Sequence, residues 1–423
     1  MRILLFTGKG GVGKSTLAAA TACAAAAAGH RTLVLSTDAA HSLADALDVA
    51  ASSEPTEAAD NLWVQHVDAQ ERFDRSWSDI QGYLLSVLDV AGVDHVAAEE
   101  LTVIPGAEEV LALLEVRAQA RSGQWDVLVV DCAPTAETLR LLALPEALGW
   151  YMGRVLPAQR RVVKALKPVL TRAAGVPMPE DSVFDAIERL HADLDDVRTV
   201  LTGPETSVRL VLTPESVVLA EARRAYTFLT LFGYSVDTAI VNRVFPEEGA
   251  DEWRRTWVEA QRRRLEDAAD SFAGLDVRRS VYRATEPVGR DELLEVAASV
   301  YDGSDPLGHG TSAPGMSVRT TPGAVVVSLP LPLAAQDDVG LVRKGDELIV
   351  SVASYRRLLT LPTGLARHRV SGARVRDGEL QVRFTAPVDG AARAADAHPD
   401  AHPDAHPDAH SDADPDDVPE EAS

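Results

Sequence analysis

The stretch FTGKGGVGKST, residues 6–16, decides the fold of the first part of this 423-residue chain. Its residues 8–15 satisfy the pattern G-x-x-x-x-G-K-[ST], after the apolar run RILLF and before a helical pattern that begins near Ser15. In this arrangement glycines let backbone N–H groups converge on phosphate oxygens, and the helix N-terminus adds partial positive charge. We expect nucleotide phosphates to be held by Gly8, Lys9, Gly10, Gly11, Val12, Gly13, Lys14, Ser15 and Thr16.

Four side chains are candidates for the chemistry of this site. Lys14 is expected to reach the β- and γ-phosphates of ATP, and Ser15 is expected to bind Mg²⁺. Asp131 ends the apolar run WDVLVVD. Because the carboxyl ends of strands face the ligand crevice in an open α/β sheet, we expect Asp131 to hold Mg²⁺ as well. Asp38 follows the run TLVLS and is expected to orient the attacking water; alternatively it caps a helix that begins near Ser42.

Short aliphatic runs alternate with helical patterns over about the first 300 residues. The runs are RILLF, TLVLS, WDVLVVD, VRLVLT and DTAIVN. Strands that are buried on both faces of a parallel sheet have this character. We therefore predict an α/β fold over residues 1–303, a P-loop NTPase domain with a doubly wound, mostly parallel sheet.

The composition changes beyond residue 303. Residues 304–322 are rich in Gly, Ser, Thr and Pro, which predicts a linker. Over 323–386, the runs VVVSLPL, ELIVSV, RLLTL and LQVRF are separated by the turn sequences KGDE and RDGE, which predicts a small all-β sandwich. Residues 387–423 repeat AHPD and cannot bury a core, so we predict a disordered acidic tail.

The net charge of −23 limits the partners of the chain. Residues 387–423 contain eleven acidic residues and one arginine, and so contribute −10 of that charge. Duplex binding needs a basic face, so we expect no nucleic-acid partner. The two cysteines, Cys23 and Cys132, have neither paired nor ligand-like spacing, and no signal peptide is evident. We therefore expect a protein of the reducing cytoplasm.

Three motifs together resemble the arsenite-pump/guided-entry ATPase family. KGGVGKS is similar to its deviant Walker A motif, STDAAHSLADAL to its switch I, and DCAPTAETLRLL to its switch II. The resemblance covers about the first 300 residues. It implies an ATPase that works as a homodimer, with ATP enclosed between the two subunits.

The resemblance also implies roles for individual residues. Lys9 would cross the dimer interface and act catalytically on the phosphates bound by the other subunit, as an arginine finger does. Asn242, in AIVNRVFP, matches the base-recognising asparagine, and Pro287 begins a loop that lines the base. The sequence departs from the family pattern at Ala39 and Cys132, so the mobility of the switches is expected to differ.

The work that hydrolysis drives has more than one candidate. The pump branch of the family binds arsenite through clustered thiolates, because a soft ion needs soft ligands, and two separate cysteines give poor support to such a site. The targeting branch binds apolar client helices. Apolar faces occur at helical spacing in residues 75–90 and 183–201, although core packing explains them equally well.

We therefore expect Mg²⁺-dependent ATP hydrolysis that is coupled to capture and release of a hydrophobic or non-native protein client. A pump-driving arsenite ATPase and a nucleotide-gated scaffold are the alternatives, and a membrane partner is a further candidate. Residues 323–386 resemble the α-crystallin domain of small heat-shock proteins through LPL, RRLLTLP and ARVRDGELQV. That resemblance implies strand edges that bind non-native chains, with a passive brace for the dimer as the alternative.

Overall fold

The computed structural model of the chain covers much of both predicted domains. Its described residues are 1–38, 42–67, 107–135, 138–139, 142–143, 181–310, 315–353 and 355–386. The predicted tail and the apolar face at 75–90 lie outside these residues. No helix among the described residues is long and apolar enough to cross a membrane.

The apolar runs of the first domain form one eight-stranded sheet. Its strands run in the spatial order β3-β4-β2-β5-β1-β6-β7-β8, and all neighbours are parallel except β3 and β4. This confirms the predicted fold class and the five predicted strands. The strands are β1 (Arg2–Gly8), β2 (Thr32–Ser36), β3 (Thr56–Ala59), β4 (Leu62–His66), β5 (Val127–Asp131), β6 (Thr206–Leu212), β7 (Val236–Val244) and β8 (Asp276–Val281).

Helices flank this sheet. The close packing of the first helix explains its unusual run of alanines. Ala18, Ala19 and Ala22 in that helix are completely buried, since small side chains let it pack closely on the sheet and on the last helix of the domain. The described helices are α1 (Lys14–Ala27), α2 (Ser42–Leu47), α3 (Ala107–Arg121), α4 (Asp181–Leu201), α5 (Ser216–Leu231), α6 (Glu252–Ser271) and α7 (Arg290–Tyr301).

The apolar face predicted at 183–201 falls on α4. Leu194 and Val197 are completely buried, and Arg117 of α3 donates to Asp196 at 2.7 Å beside them. Leu190 packs against the same core. The described side chains of this face therefore belong to the core of the domain, while Phe184 lies outside the described side chains.

The second domain is a sandwich of two antiparallel sheets, as predicted. One sheet has the order β14-β15-β10-β9 and the other β11-β12-β13. The RDGE turn joins β14 to β15 with Asp377 and Gly378 at φ 52° and 74°, the backbone that tight hairpins require. The elements are β9 (Ser317–Thr321), β10 (Ala324–Pro330), β11 (Val339–Lys344), β12 (Glu347–Val352), β13 (Tyr355–Thr360), α8 (Thr363–Ala366), β14 (Arg369–Arg376) and β15 (Glu379–Thr385). Strand β9 lies within the segment that composition assigned to the linker.

Helix α5 carries the contact between the two domains. The Thr227 hydroxyl donates to the Pro332 carbonyl at 2.6 Å, and the Phe228 ring meets the edge of Tyr355 with centroids 4.5 Å apart. The Arg357 guanidinium of β13 is buried and donates to the Leu231 carbonyl at the end of α5. The β domain is thus fixed to one helix of the ATPase fold by both polar and aromatic contacts.

The linker begins as part of the first domain. Arg2 Nε donates to the Leu307 carbonyl at 3.0 Å. At Gly310, an added Cβ would lie 2.4 Å from the Asp237 carbonyl oxygen, so the backbone packs directly on β7. Residues up to 310 are therefore held against the amino ends of β1 and β7.

A buried ionic network joins these strand ends. Arg2 Nη2 lies 2.9 Å from Asp237 Oδ2, which also accepts from the Ser207 hydroxyl at 2.6 Å. Arg209 lies 3.7 Å from Asp237 Oδ1 and donates to the Tyr301 hydroxyl at 2.8 Å. All three charged side chains are buried, so a single carboxylate compensates two guanidinium groups.

Replacing Asp237 by alanine is expected to lower the free energy of unfolding by about 3–5 kcal/mol, because it leaves buried cations without a counter-charge. Urea unfolding measures this loss. The matched control is Asp126→Ala, which removes the exposed ion pair with Arg31 and should change stability far less. Equal losses in the two variants would contradict this account of the network.

Candidate nucleotide site

The loop after β1 is shaped by two close backbone approaches. A Cβ at Gly8 would lie 2.1 Å from the Val211 carbonyl oxygen, so β6 admits only glycine there. Gly13 has φ +95°, and a Cβ there would lie 2.3 Å from Asn242 Nδ2. The loop thus follows β1 and contacts the carboxyl ends of β6 and β7, at the edge where an open α/β sheet binds ligands.

The two lysines of the loop have different environments. Lys14 is 6% exposed, and its ammonium lies 3.5 Å from the Lys9 carbonyl, within the curl of the loop. The Lys9 ammonium instead points to α5, where it pairs with Glu221 Oε2 at 3.1 Å. The Lys9 side chain is 43% exposed. Of the two lysines, only Lys14 therefore contacts its own loop through its ammonium. The pairing of Lys9 with Glu221 could not be predicted from the sequence.

Asp131 lies between the loop and β2 at the carboxyl edge of the sheet. In register it faces Phe6 on one side and Ser36 on the other. Its side chain is completely buried, and neither oxygen has a hydrogen-bond partner among the described residues. Burial raises the pKa of this carboxyl to about 7, although the nearby Ser15 hydroxyl and the Lys14 ammonium oppose the shift.

A buried carboxylate whose oxygens accept no well-formed hydrogen bond fits a bound cation. The Ser15 hydroxyl, at the start of α1, bonds to the Ser42 hydroxyl at 2.7 Å. Hydroxyl and carboxylate oxygens are the hard ligands that Mg²⁺ takes beside a nucleotide. The structure thus places both predicted Mg²⁺ ligands, Ser15 and Asp131, at one edge of the sheet.

Asp38 follows the end of β2 directly. Its backbone N–H donates to the Ser36 hydroxyl at 3.1 Å, which gives the chain a tight turn there. The neighbouring Thr37 N–H donates to the Asp131 carbonyl at 3.0 Å. Asp38 is therefore held close to the strand that carries Asp131, whereas α2 begins four residues later, at Ser42.

A pocket of about 290 Å³ opens on the other side of the loop. Asn242 reaches into it and donates from Nδ2 to the Val12 carbonyl at 2.8 Å. The predicted base loop is here too, since Pro287 lines the pocket and Gly289 N–H donates to the Ala46 carbonyl at 2.9 Å. Among the lining residues that the sequence did not indicate are Arg243, Tyr282, Arg283 and Glu286.

Exposed aromatic rings lie next to this pocket. Trp253, Trp257 and Tyr282 are 66%, 46% and 47% exposed. Phe245 joins them, since its ring stacks on Tyr282 at 5.2 Å and lies 6.2 Å from Trp257. Large exposed apolar groups that cluster in this way are typical of surfaces that bind other proteins.

Neither cysteine belongs to a metal-binding cluster among the described residues. These residues hold no group of three or more His, Cys, Asp or Glu side chains placed to bind a metal. Burial raises the pKa of the Cys23 thiol to about 11. It also raises the pKa of Cys132, which follows Asp131 and is completely enclosed. Both thiols are therefore protonated near neutral pH.

Comparison with known proteins gives two family matches along the chain. Residues 1–302 match the family described as anion-transporting ATPase, and residues 322–384 match the HSP20-like domain found in ArsA. A Chlorobaculum tepidum protein named "Putative arsenical pump-driving ATPase" is 35% identical over 91% of this chain and 96% of its own length. An Aquifex aeolicus protein named "Putative arsenical pump-driving ATPase 1" is 32% identical over 90% and 99%. An uncharacterized protein of Streptomyces coelicolor is 38% identical over 91% and 97%.

Proposed function

Since this chain belongs to the anion-transporting ATPase family and is an ATP hydrolase with an HSP20-like domain, we propose that it works as a homodimer. In this proposal, Mg²⁺-dependent hydrolysis of ATP is coupled to capture and release of a hydrophobic protein client in the cytoplasm. ATP drives such a cycle only by binding the closed dimer more tightly than the open form.

The position of Lys9 carries the proposal of a dimer. Its side chain is half-exposed at the carboxyl edge of the sheet, and its ammonium is paired with Glu221 instead of the phosphate loop. A cation held at the rim of the site is available to a second subunit that docks face to face. Exchange of the Glu221 carboxylate for the phosphates of the partner subunit would then link closure to bound nucleotide.

Within one subunit, the geometry of the site supports the other proposed roles. Lys14 binds the phosphates from inside the loop, and Ser15 and Asp131 would hold Mg²⁺, which neutralises charge on the phosphates when bound. Asp38, at the end of β2, orients the attacking water and accepts its proton. Asn242 and Pro287 border the pocket that would take the base.

Two surfaces favour the proposal of a protein client. The aromatic cluster beside the base pocket is exposed at the same edge of the sheet as Lys9, so nucleotide-dependent closure would change its accessibility. The HSP20-like domain adds strand edges at β9 and β11, where backbone N–H and C=O groups are open to pairing with an extended chain. We propose that a non-native segment binds to one of these surfaces.

The test uses Asp38→Asn. Turnover should fall about 10²–10⁴-fold, since the water loses its base, while ATP affinity stays within about twofold. With ATP, this variant should form a dimer in analytical ultracentrifugation, and it should suppress aggregation of a heat-unfolded reporter protein better than the ADP-bound chain does. Asp45→Asn, on the exposed surface of α2, is the matched control and should behave as the parent. Equal suppression in ATP and ADP would refute nucleotide-coupled capture.

The names of the Chlorobaculum and Aquifex relatives favour a second candidate, an ATPase that drives an arsenite pump, together with a membrane partner. That function predicts a several-fold stimulation of turnover by arsenite, which a Cys23→Ser/Cys132→Ser variant would lose. We expect arsenite to leave turnover unchanged, because both thiols are buried and protonated. A cysteine-dependent stimulation in a steady-state ATPase assay would decide for the pump.

A further inference from the structure

A second cavity lies at the contact between the two domains, away from the nucleotide site. Its volume is about 270 Å³, and α5 forms one wall while the β domain forms the other. At about 30 Å³ for a water-sized group, it holds roughly nine such groups. The lining residues used below are Arg223, Arg224, Phe228, Asp338, Val352 and Tyr355.

The floor of this cavity is apolar and firmly packed. Phe228 is 3% exposed, stacks on Phe232 at 4.3 Å and meets the edge of Tyr355 at 4.5 Å. Val352 is buried beside them. A preformed apolar floor of this kind selects a hydrocarbon group, because filling it removes apolar surface from water at little cost in conformational entropy of the protein.

The rim carries three charged groups, and two of them are already engaged. Arg223 donates from Nε to the Ser271 hydroxyl at 2.8 Å and from Nη2 to the Asp267 carbonyl at 3.3 Å. Asp338 Oδ2 accepts from the Ala335 N–H at 3.3 Å. Arg224 is exposed and has no hydrogen-bond or ion-pair partner among the described residues. A guanidinium with open donors beside an apolar floor selects a carboxylate.

We propose that this cavity binds a small amphiphilic carboxylate, with a hydrocarbon chain of about eight carbons on Phe228 and Tyr355 and its carboxylate at Arg224. The chain length follows from the roughly nine water-sized groups that the cavity holds. Because each domain supplies one wall, the complete site exists only while the β domain is docked on α5. Ligand therefore stabilises the docked arrangement, by a free energy that grows with the logarithm of the ligand concentration once this exceeds the dissociation constant. This inference is independent of the proposed dimer and client.

The test is calorimetric titration of the full chain with octanoate, and with 1-octanol as a neutral probe of equal length. Octanoate should bind at one site per chain and at least about tenfold more tightly than octanol, the value of one hydrogen-bonded charge pair. Arg224→Gln should remove that preference and leave octanol binding unchanged. Arg263→Gln, an exposed arginine of α6 outside the cavity, is the matched control and should retain it.

A second variant tests the position of the hydrocarbon chain. Ala334→Leu narrows the cavity and should weaken the binding of both octanoate and octanol, while circular dichroism and ATPase turnover stay unchanged. If this variant fails to fold, Tyr355→Ala takes its place. It removes one wall of the cavity and should weaken the binding of both probes as well. Absence of saturable octanoate binding to the folded parent chain would overturn the proposal. So would equal affinities for octanoate and octanol, or an Arg224→Gln variant that keeps the preference.

Discussion

Lys14→Ala is expected to lose ATP affinity by about a hundredfold or more. Lys14 is buried within the phosphate loop, and its ammonium lies 3.5 Å from the Lys9 carbonyl, so its donors face the interior of the loop. Two charge-assisted hydrogen bonds to phosphate, each of about 1.5–3 kcal/mol, account for a loss of this size. Calorimetric titration with ATP in the presence of Mg²⁺ measures it.

The matched control for Lys14 is Lys344→Ala, which removes an exposed lysine at the KGDE turn of the β domain. Its ATP affinity should equal that of the parent chain. Urea unfolding of Lys14→Ala separates lost binding from lost folding, because Lys14 is buried. If a folded Lys14→Ala variant bound ATP as tightly as the parent chain, this loop would not be the nucleotide site.

The second large effect is expected at Lys9. In Lys9→Ala, turnover should fall about 10³-fold or more, the value of an arginine finger supplied by a partner subunit. ATP should still bind to the single chain, because Lys9 pairs with Glu221 and not with its own loop. Sedimentation velocity with ATP should show the monomer where the parent chain shows a dimer.

Glu221→Gln is the matched counterpart, and its effect should have the opposite sign. It releases Lys9 from the pair at 3.1 Å, so the dimer should form at a lower ATP concentration. The shift should be at most about fivefold, because the pair is partly exposed and surface ion pairs contribute about 0–1 kcal/mol. Unchanged turnover in Lys9→Ala, or a monomer throughout the parent cycle, would refute the dimer.

The sequence was sufficient for the fold class and the family, and both are confirmed. The phosphate loop stays a prediction. Buried parallel strands are aliphatic throughout, so β1, β2, β5, β6 and β7 could be predicted. Strand β8, with the sequence DVRRSV, could not, because a strand at the edge of a sheet tolerates charge and loses that pattern.

The contacts that the sequence could not supply join residues that are far apart along the chain. Glu221 meets Lys9 across 212 positions, and Asp237 meets Arg2 across 235. Local periodicity contains no information on such pairs. Asn242 is a mixed case: its family resemblance pointed to the base, and the structure adds its bond to Val12 and its tight approach to Gly13.

The attachment of the linker has a consequence for how far the β domain can travel. Because Gly310 packs on Asp237 and Arg2 donates to the Leu307 carbonyl, only seven peptide units separate this attachment from Ser317, where β9 begins. Seven peptide units span at most about 25 Å. A β domain that left α5 would thus stay within that distance of its attachment, at a millimolar effective concentration. The length of this segment therefore sets an upper limit on how far the two domains could separate.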